Sequence, residues 1–261
     1  MFDTVKAVLF DAVGTLMRPD PAVADVYHLL GRRFGSKLSV DEIEQRFYLA
    51  VARYDNGGAG PQEHETSHEA SIVSGAGELS YERPPTSESL EKRRWQRIVA
   101  EVFQDVPNAR GPLFQSLWDH FASGQHWRLY DDAPFVWEQL RDRGLVVGVA
   151  SNFDGRLRQI CSQIAVLSGC RHVFWSSDVG FSKPSPRFFR TIQRRIGLVP
   201  HELMLIGDHP VNDFRGARSA GWHAVLLDRI ARFQRQTEPT PAGHVIHDLN
   251  QLPPLLSMMN S

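Results

Sequence analysis

Five residues of this 261-residue chain stand where their types and spacing can do chemistry: Asp11, Ser151, Lys183, Asp208 and Asp213. Asp11 closes the apolar run 5–10 and is followed at once by Gly14-Thr15. A carboxylate so placed can attack an electrophilic phosphorus or carbon, and the covalent intermediate divides one hard step into two. Asp208 and Asp213, with Asp11, offer hard oxygen ligands of the kind Mg²⁺ takes, which is usually held by one or two carboxylates plus waters and substrate phosphate. Lys183 brings a point charge that can counter several carboxylates and a transferring dianion. The Ser151 hydroxyl, with backbone N–H groups at Asn152 and after Asp11, lies where donors at a strand-to-helix turn point at bound anions. Four of the five also have an ordinary explanation: Asp11 as a loop acid, Asp213 as a helix-start acid, Lys183 as a solvated lysine, Ser151 as an N-cap.

The elements that must position these residues follow one grammar. Leu145–Ala150, Leu203–Ile206 and Ala224–Leu227 are apolar runs like 5–10, each ending in polar residues, Ser151-Asn152, Gly207-Asp208 and Asp228. Short continuous apolar runs bounded by turn signals suit strands of a parallel sheet buried on both faces. Between them lie helical patterns at 132–143, 154–167, 186–196 and 211–220. The first has Asp131 or Asp132 as N-cap, Pro134 in its first turn and Gly144 past its end. Strand–helix alternation from 130 onward predicts a doubly wound, Rossmann-like α/β core. In such sheets ligands bind beyond the carboxyl ends of the strands, where Asp11, Ser151 and Asp208 fall.

Residues 18–128 break that alternation. Helical periodicity appears at 22–34, at 40–54 with Ser39 and Glu42 as a capping box, at 87–104 and at 112–123. The stretch 56–86 is rich in Gly, Ser, Pro and Glu and reads as an irregular excursion. The expected organisation is therefore a core of 1–17 and 129–261 with a helical domain, 18–128, inserted after the first strand.

Composition bounds the rest. An apolar fraction of 42% furnishes a sizeable core and excludes disorder as the main state. Lys plus Arg count 29 and Asp plus Glu 30, a formal charge of −1, so no global field recruits nucleic acid or an anionic membrane. The two cysteines, Cys161 and Cys170, fit neither a zinc knuckle nor a disulfide framework. With no apolar stretch near the ~20 residues of a membrane span, and an acidic residue at the start of the sequence, the expectation is a soluble, cytoplasmic protein.

Asp11 within Asp-Ala-Val-Gly-Thr, Ser151-Asn152, Lys183-Pro184, Gly207-Asp208 and Asn212-Asp213 resemble, in order and in strand context, the four motifs of the haloacid dehalogenase-like hydrolase superfamily. The resemblance covers 5–17 and about 130–228, and the helical insert occupies the place of that family's cap domain. It implies Asp11 as nucleophile, Ser151, Asn152 and Lys183 around the transferring phosphoryl group, and a small phosphorylated substrate. It also implies a Mg²⁺ ion bound by Asp11, Asp208 and the backbone carbonyl of Val13, with Asp213 in or just outside that shell.

Val13 departs from the pattern. Family phosphatases usually carry a second aspartate there, which protonates the leaving oxygen and then activates water. A positioned acid–base group is typically worth ~10²–10⁴-fold, so phosphomonoester turnover is expected to be slow. The 2-haloacid dehalogenases also lack that aspartate, but they work without metal and do not keep a Gly-Asp like Gly207-Asp208. Phosphonoacetaldehyde hydrolases have a small apolar residue there and use a cap lysine. Only Lys37 and Lys92 are available in this insert, both in polar sequence surroundings. A non-catalytic phosphoryl-ligand binder or interaction protein is a further alternative.

Three other signals weigh less. His64-Glu-Thr-Ser-His68 matches H-E-x-x-H, yet its Gly-rich flanks supply few helix formers for a zinc site. His209, next to Asp208, reads either as a loop residue beside the ion or as a source of the missing proton chemistry. The aromatic residues Trp95, Phe103, Trp118, Phe121 and Trp127 read as core of the insert rather than a cavity lining.

Overall fold

The computed structural model describes residues 4–55, 83–230 and 245–257. Among them, six strands form one parallel sheet in the order β5-β4-β1-β6-β7-β8. In chain order these are β1 (Ala7–Phe10), β4 (Val146–Ser151), β5 (Val173–Trp175), β6 (Leu203–Gly207), β7 (His223–Leu227) and β8 (Val245–Ile246). β1 pairs with β4 on one side, Leu9 opposite Gly148, and with β6 on the other, Leu9 opposite Leu205. Its four residues are fully buried, as a central strand covered on both faces must be. A separate antiparallel pair joins β2 (Met17–Pro19) to β3 (Trp127–Leu129).

Helices α5 (Ala133–Asp142), α6 (Arg156–Gln163), α7 (Ser176–Val179), α8 (Pro186–Ile196), α9 (Gly216–Ser219) and α10 (Leu252–Ser257) complete the α/β unit. Ser185 caps α8, its Oγ accepting from the Arg187 N–H, and Gly197 ends it with φ 79°. One packed layer gathers Phe188, Phe189 and Ile192 of α8 with Leu205, Trp222 and Leu226. Short strands, β2, β3, β5 and β8, escape the sequence reading because two or three residues carry too little periodicity to register.

Helices α1 (Val23–Arg33), α2 (Val40–Asp55), α3 (Glu88–Val102) and α4 (Pro112–His120) stand at the four predicted positions. The Ser39–Glu42 capping box forms, with both the Ser39 N–H and Oγ donating to Glu42 Oε2. Tyr27, Ile43, Ile98, Phe103 and Leu113 close a core of their own, with Trp95, Trp118 and Phe121 packed against it. Trp127 lies elsewhere, edge-on to Phe153.

The chain divides into two compact units, one within Met1–Asp20, Tyr81–Glu88 and Ala122–Ser261, the other within Pro21–Ser80 and Ser89–Phe121. The helical unit is thus shorter than 18–128. The β2–β3 pair, with residues 18–20 and 127–128, belongs to the α/β unit, and Glu88 is tied there by hydrogen bonds to Gly155, Trp175 and Ser177. The His64–His68 motif and most of the 56–86 excursion lie outside the described residues.

Candidate active site

Parallel strands share one carboxyl edge, so β1, β4 and β6 deliver Asp11, Ser151 and Asp208 to the same side of the sheet. Asp11 continues the ladder one residue past β1, its N–H donating to the Ile206 carbonyl at 2.8 Å. That bond fixes the carboxylate, which is 7% exposed. Ser151, the last residue of β4, is buried.

Lys183 enters from the segment after β5 and is 2% exposed. Its Nζ donates to Asp11 Oδ1 at 2.6 Å, to Asp213 Oδ1 at 2.5 Å and to the Ala150 carbonyl at 3.0 Å. All three ammonium protons thus have an acceptor. Asn152 places the lysine: its Oδ1 accepts from the Lys183 N–H at 2.7 Å, and its Nδ2 donates to the Lys183 carbonyl at 3.0 Å. The amide side chain of Asn152 is therefore engaged with the lysine backbone. The Lys183–Pro184 peptide is cis.

Asp11, Asp208 and Asp213 each present an oxygen within 4.8 Å of the others. Two glycines make this approach possible. A Cβ at Gly14, whose φ is 84°, falls 2.6 Å from Asp208 Oδ2, and one at Gly207 falls 2.3 Å from Asp213 Cγ. Only glycine lets these carboxylates come so close to the backbone. Asp213 is further held by the His209 N–H, which donates to its Oδ2 at 3.0 Å.

Three carboxylates, Asp11 and Asp213 buried and Asp208 half-buried, gather their negative charge around the Lys183 ammonium. Burial pulls the Lys183 ammonium down, but Asp11 and Asp213 outweigh it and hold it above the ordinary lysine range. Burial, with Asp11 and Asp208, pushes Asp213 up to about 6 despite Lys183. A hard divalent cation relieves such a gathering of charge, and an all-oxygen donor set is the chemistry Mg²⁺ selects, so these residues fit that ion.

His209 has a structural task. Its Nδ1 accepts from the Val211 and Asn212 N–H groups, both at 3.1 Å, capping the π-helical turn Pro210–Arg215. Burial pulls its pKa down, with Lys183 and Arg83 acting in the same direction against Asp213 and Asp11. A neutral ring accepting at Nδ1 suits the loop-residue alternative.

Val13 is 37% exposed and bridges to Met17, while Gly14 N–H donates to the Met17 carbonyl at 3.0 Å. Lys37 and Lys92 are both exposed, the latter lying over the Trp118 ring. Neither sits in the apolar surroundings that make a nucleophilic lysine.

Of the two expected N-cap candidates, Asp131 and Asp132, Asp132 stands at the N-cap of α5, but its side chain makes no capping hydrogen bond. Its carboxylate instead takes a bidentate pair from Arg229, at 2.8 and 2.9 Å, and the Leu249 N–H at 2.8 Å. Arg229 also donates to the Thr15 carbonyl at 2.8 Å and lies 4.0 Å from the Tyr130 ring centroid. The loop carrying Asp11, Val13 and Gly14 is thereby tied to the start of α5 and to the C-terminal segment. Nothing in the sequence announces this clamp, because its members lie 97 to 214 residues apart.

Asp11, Asp208 and Asp213, with Lys183 bonded to two of them, meet at the carboxyl edge of a doubly wound α/β sheet. A family model for haloacid dehalogenase-like hydrolases matches residues 5–221, and the chain belongs to that family. A mouse haloacid dehalogenase-like hydrolase domain-containing protein 3 is 30% identical over 67% of this chain and 72% of its own length. A phosphoserine phosphatase of Thermus thermophilus is 27% identical over 87% of this chain and 90% of its own. Among solved structures, a putative hydrolase of the same family from Bacillus subtilis, bound to magnesium, superposes with TM-score 0.68 at 15% identity, covering 97% of this chain and 99% of that one.

Proposed function

We propose that the protein is a Mg²⁺-dependent phosphohydrolase acting on a small phosphorylated metabolite through an aspartyl-phosphate on Asp11. The observation that carries this reading is the Asp11–Lys183–Asp213 chain of contacts beside Asp208. Lys183 holds Asp11 Oδ1, so the other carboxylate oxygen attacks phosphorus. The phosphorus–oxygen bond to the leaving alcohol breaks, and the alkoxide takes a proton from water. Water then attacks the phosphorus of the aspartyl ester, inorganic phosphate departs, and the Asp11 carboxylate is regenerated. Lys183 offsets charge on the transferring group throughout, and Ser151 and the Asn152 N–H receive its oxygens.

Asp11, Asp208 and Asp213, with the Val13 carbonyl, would hold Mg²⁺, which supplies charge neutralisation and orientation of the phosphoryl oxygens. Retention of Asp208 favours this reading over metal-free dehalogenation. Val13 supplies no proton to the leaving group, so turnover is slow and the aspartyl-phosphate long-lived.

The test is hydrolysis of a phosphomonoester panel with Mg²⁺ by wild type, Asp11→Asn and Val13→Asp. Activity above background that vanishes in Asp11→Asn is the expected result. No activity in wild type, with gain in Val13→Asp, favours a phosphoryl-ligand binder instead.

A further inference from the structure

The turn that follows Asp11 is closed from within. The Leu16 and Met17 N–H groups both donate to the Ala12 carbonyl at 2.9 Å, and the Gly14 N–H donates to the Met17 carbonyl at 3.0 Å. Bonded in this way, residues 12–17 move as one piece. The piece is held from outside at two neighbouring carbonyls: Leu16 accepts from the Tyr130 N–H at 2.9 Å, and Thr15 accepts from Arg229 Nη2 at 2.8 Å. Thr15 is fully buried, so its carbonyl stays desolvated if that donor is removed.

Arg229 is itself fixed in place. Nη2 has two protons, and the second goes to Asp132 Oδ1 at 2.9 Å, while Nη1 donates to Asp132 Oδ2 at 2.8 Å. Asp132 Oδ2 also accepts from the Leu249 N–H at 2.8 Å. At the other end of α5, Arg143 Nη1 donates to the Pro253 carbonyl at 2.9 Å. The segment 245–257 is therefore fastened at both ends of the helix whose first residues carry the Arg229 pair.

The point that Arg229 holds lies next to the cation site along the chain. Gly14, one residue before Thr15, is where Asp208 packs so closely that a Cβ falls 2.6 Å from its Oδ2. Val13, two residues before, offers the carbonyl assigned above to Mg²⁺. A turn displaced at Thr15 carries both with it. A pair that served stability alone would need only Asp132; the second Nη2 proton, given to Thr15, is what reaches the turn.

We propose that Arg229 is a positioning residue for the cation site: through the Thr15 carbonyl it fixes the Val13 carbonyl and the approach of Asp208 to Gly14, and it thereby couples Mg²⁺ affinity to the seating of the C-terminal segment. The inference rests on the Mg²⁺ site of the preceding subsection. Such coupling is reciprocal: if unseating Leu249 weakens the hold on the ion, the ion tightens the seating of Leu249.

Calorimetric titration with Mg²⁺ alone compares wild type, Arg229→Gln, Arg229→Lys and Ile192→Ala. The last truncates a buried residue of α8, which destabilises the same unit outside the clamp. Arg229→Gln is expected to raise the Kd for Mg²⁺ about tenfold, the lower end of what groups that orient metal ligands contribute. Arg229→Lys, which keeps a charge beside Asp132, is expected to recover part of the loss, and Ile192→Ala to leave Kd unchanged. In wild type, Mg²⁺ is expected to slow hydrogen exchange at the Leu249 N–H more than at the Gly197 N–H, which ends α8. Absence of Mg²⁺ binding in wild type overturns the cation-site reading and this inference with it. Binding that Arg229→Gln leaves unchanged, or that Ile192→Ala weakens equally, overturns the positioning role alone. Exchange at Leu249 slowed no more than at Gly197 overturns the coupling, and if Arg229→Gln does not fold, this measurement on wild type decides by itself.

Discussion

At the scale of the residue, the proposed mechanism makes Val13 the test of rate and Asp213 the test of coupling to metal and pH. Val13 follows the Asp11 turn with a partly exposed side chain, so an aspartate there meets solvent and the reacting oxygens without a burial cost. Val13→Asp is expected to raise phosphomonoester turnover by about 10²-fold or more, measured as kcat under Mg²⁺ saturation. An unchanged kcat would show that proton transfer does not limit the reaction. Burial pushes the Asp213 carboxyl up to about 6 in the folded protein, against roughly 4 in the unfolded chain. A carboxyl raised in this way costs stability above its unfolded value. The cost is absent below about pH 4 and complete above about pH 6. A cation bound to the ionised cluster removes it, so the rise in Tm produced by Mg²⁺ is expected to be larger at pH 7 than at pH 5. Equal rises at both pH values would contradict the position of Asp213.

At the scale of the element, the site depends on how tightly turns are held. Gly207 ends β6 with Asp213 packed over its Cα. Gly207→Ala forces that carboxylate aside, and the expected outcome is weaker Mg²⁺ binding by calorimetry together with a stability loss of about 1–3 kcal/mol. The Asp132–Arg229 pair anchors the Asp11 loop through the Thr15 carbonyl. Burial works against the Asp132 carboxylate, but Arg229 and the Leu249 N–H hold it below the usual range, so its contribution is present above about pH 4 and lost only in more acid solution. Asp132→Asn leaves a half-buried guanidinium without its counter-charge, expected to cost about 3–5 kcal/mol in urea unfolding at pH 7. A loss no greater than that of a surface pair, about 1 kcal/mol or less, would mean that the clamp is solvated.

At the scale of the whole molecule, two units carry two separate apolar cores. Phe103 is buried in the helical one, stacked on Tyr27 and so close to Gly31 that a Cβ there falls 2.4 Å from the ring. Phe103→Ala is expected to cost about 3–5 kcal/mol. By calorimetry, the transition of the helical unit should fall in temperature while the Mg²⁺-responsive transition stays in place. One transition moving as a whole would show the units to be energetically fused. The family model ends at residue 221, yet Arg229 and Leu249 beyond it complete the clamp on the Asp11 loop. Among the described residues no helix is long and apolar enough to cross a membrane.

By itself the sequence determined four strands of the parallel sheet, the four helices of the insert and the meeting of Asp11, Ser151 and Asp208 at one sheet edge, while Lys183 and Asp213 joined them only through the family's motif pattern. The first rest on local signals: apolar runs that end in polar residues and 3.6-residue periodicity, with ligands lying beyond the carboxyl ends of parallel strands. Tertiary structure alone decided that Asn152 holds Lys183, that Asp132 serves Arg229 rather than its own helix, and that Arg83 and Glu88 belong to the α/β unit. Each of these joins a side chain to a group 31 to 129 residues away through hydrogen bonds that leave no periodicity or turn signal behind. A buried polar group must find a partner, and which partner it finds is settled only when the chain has packed.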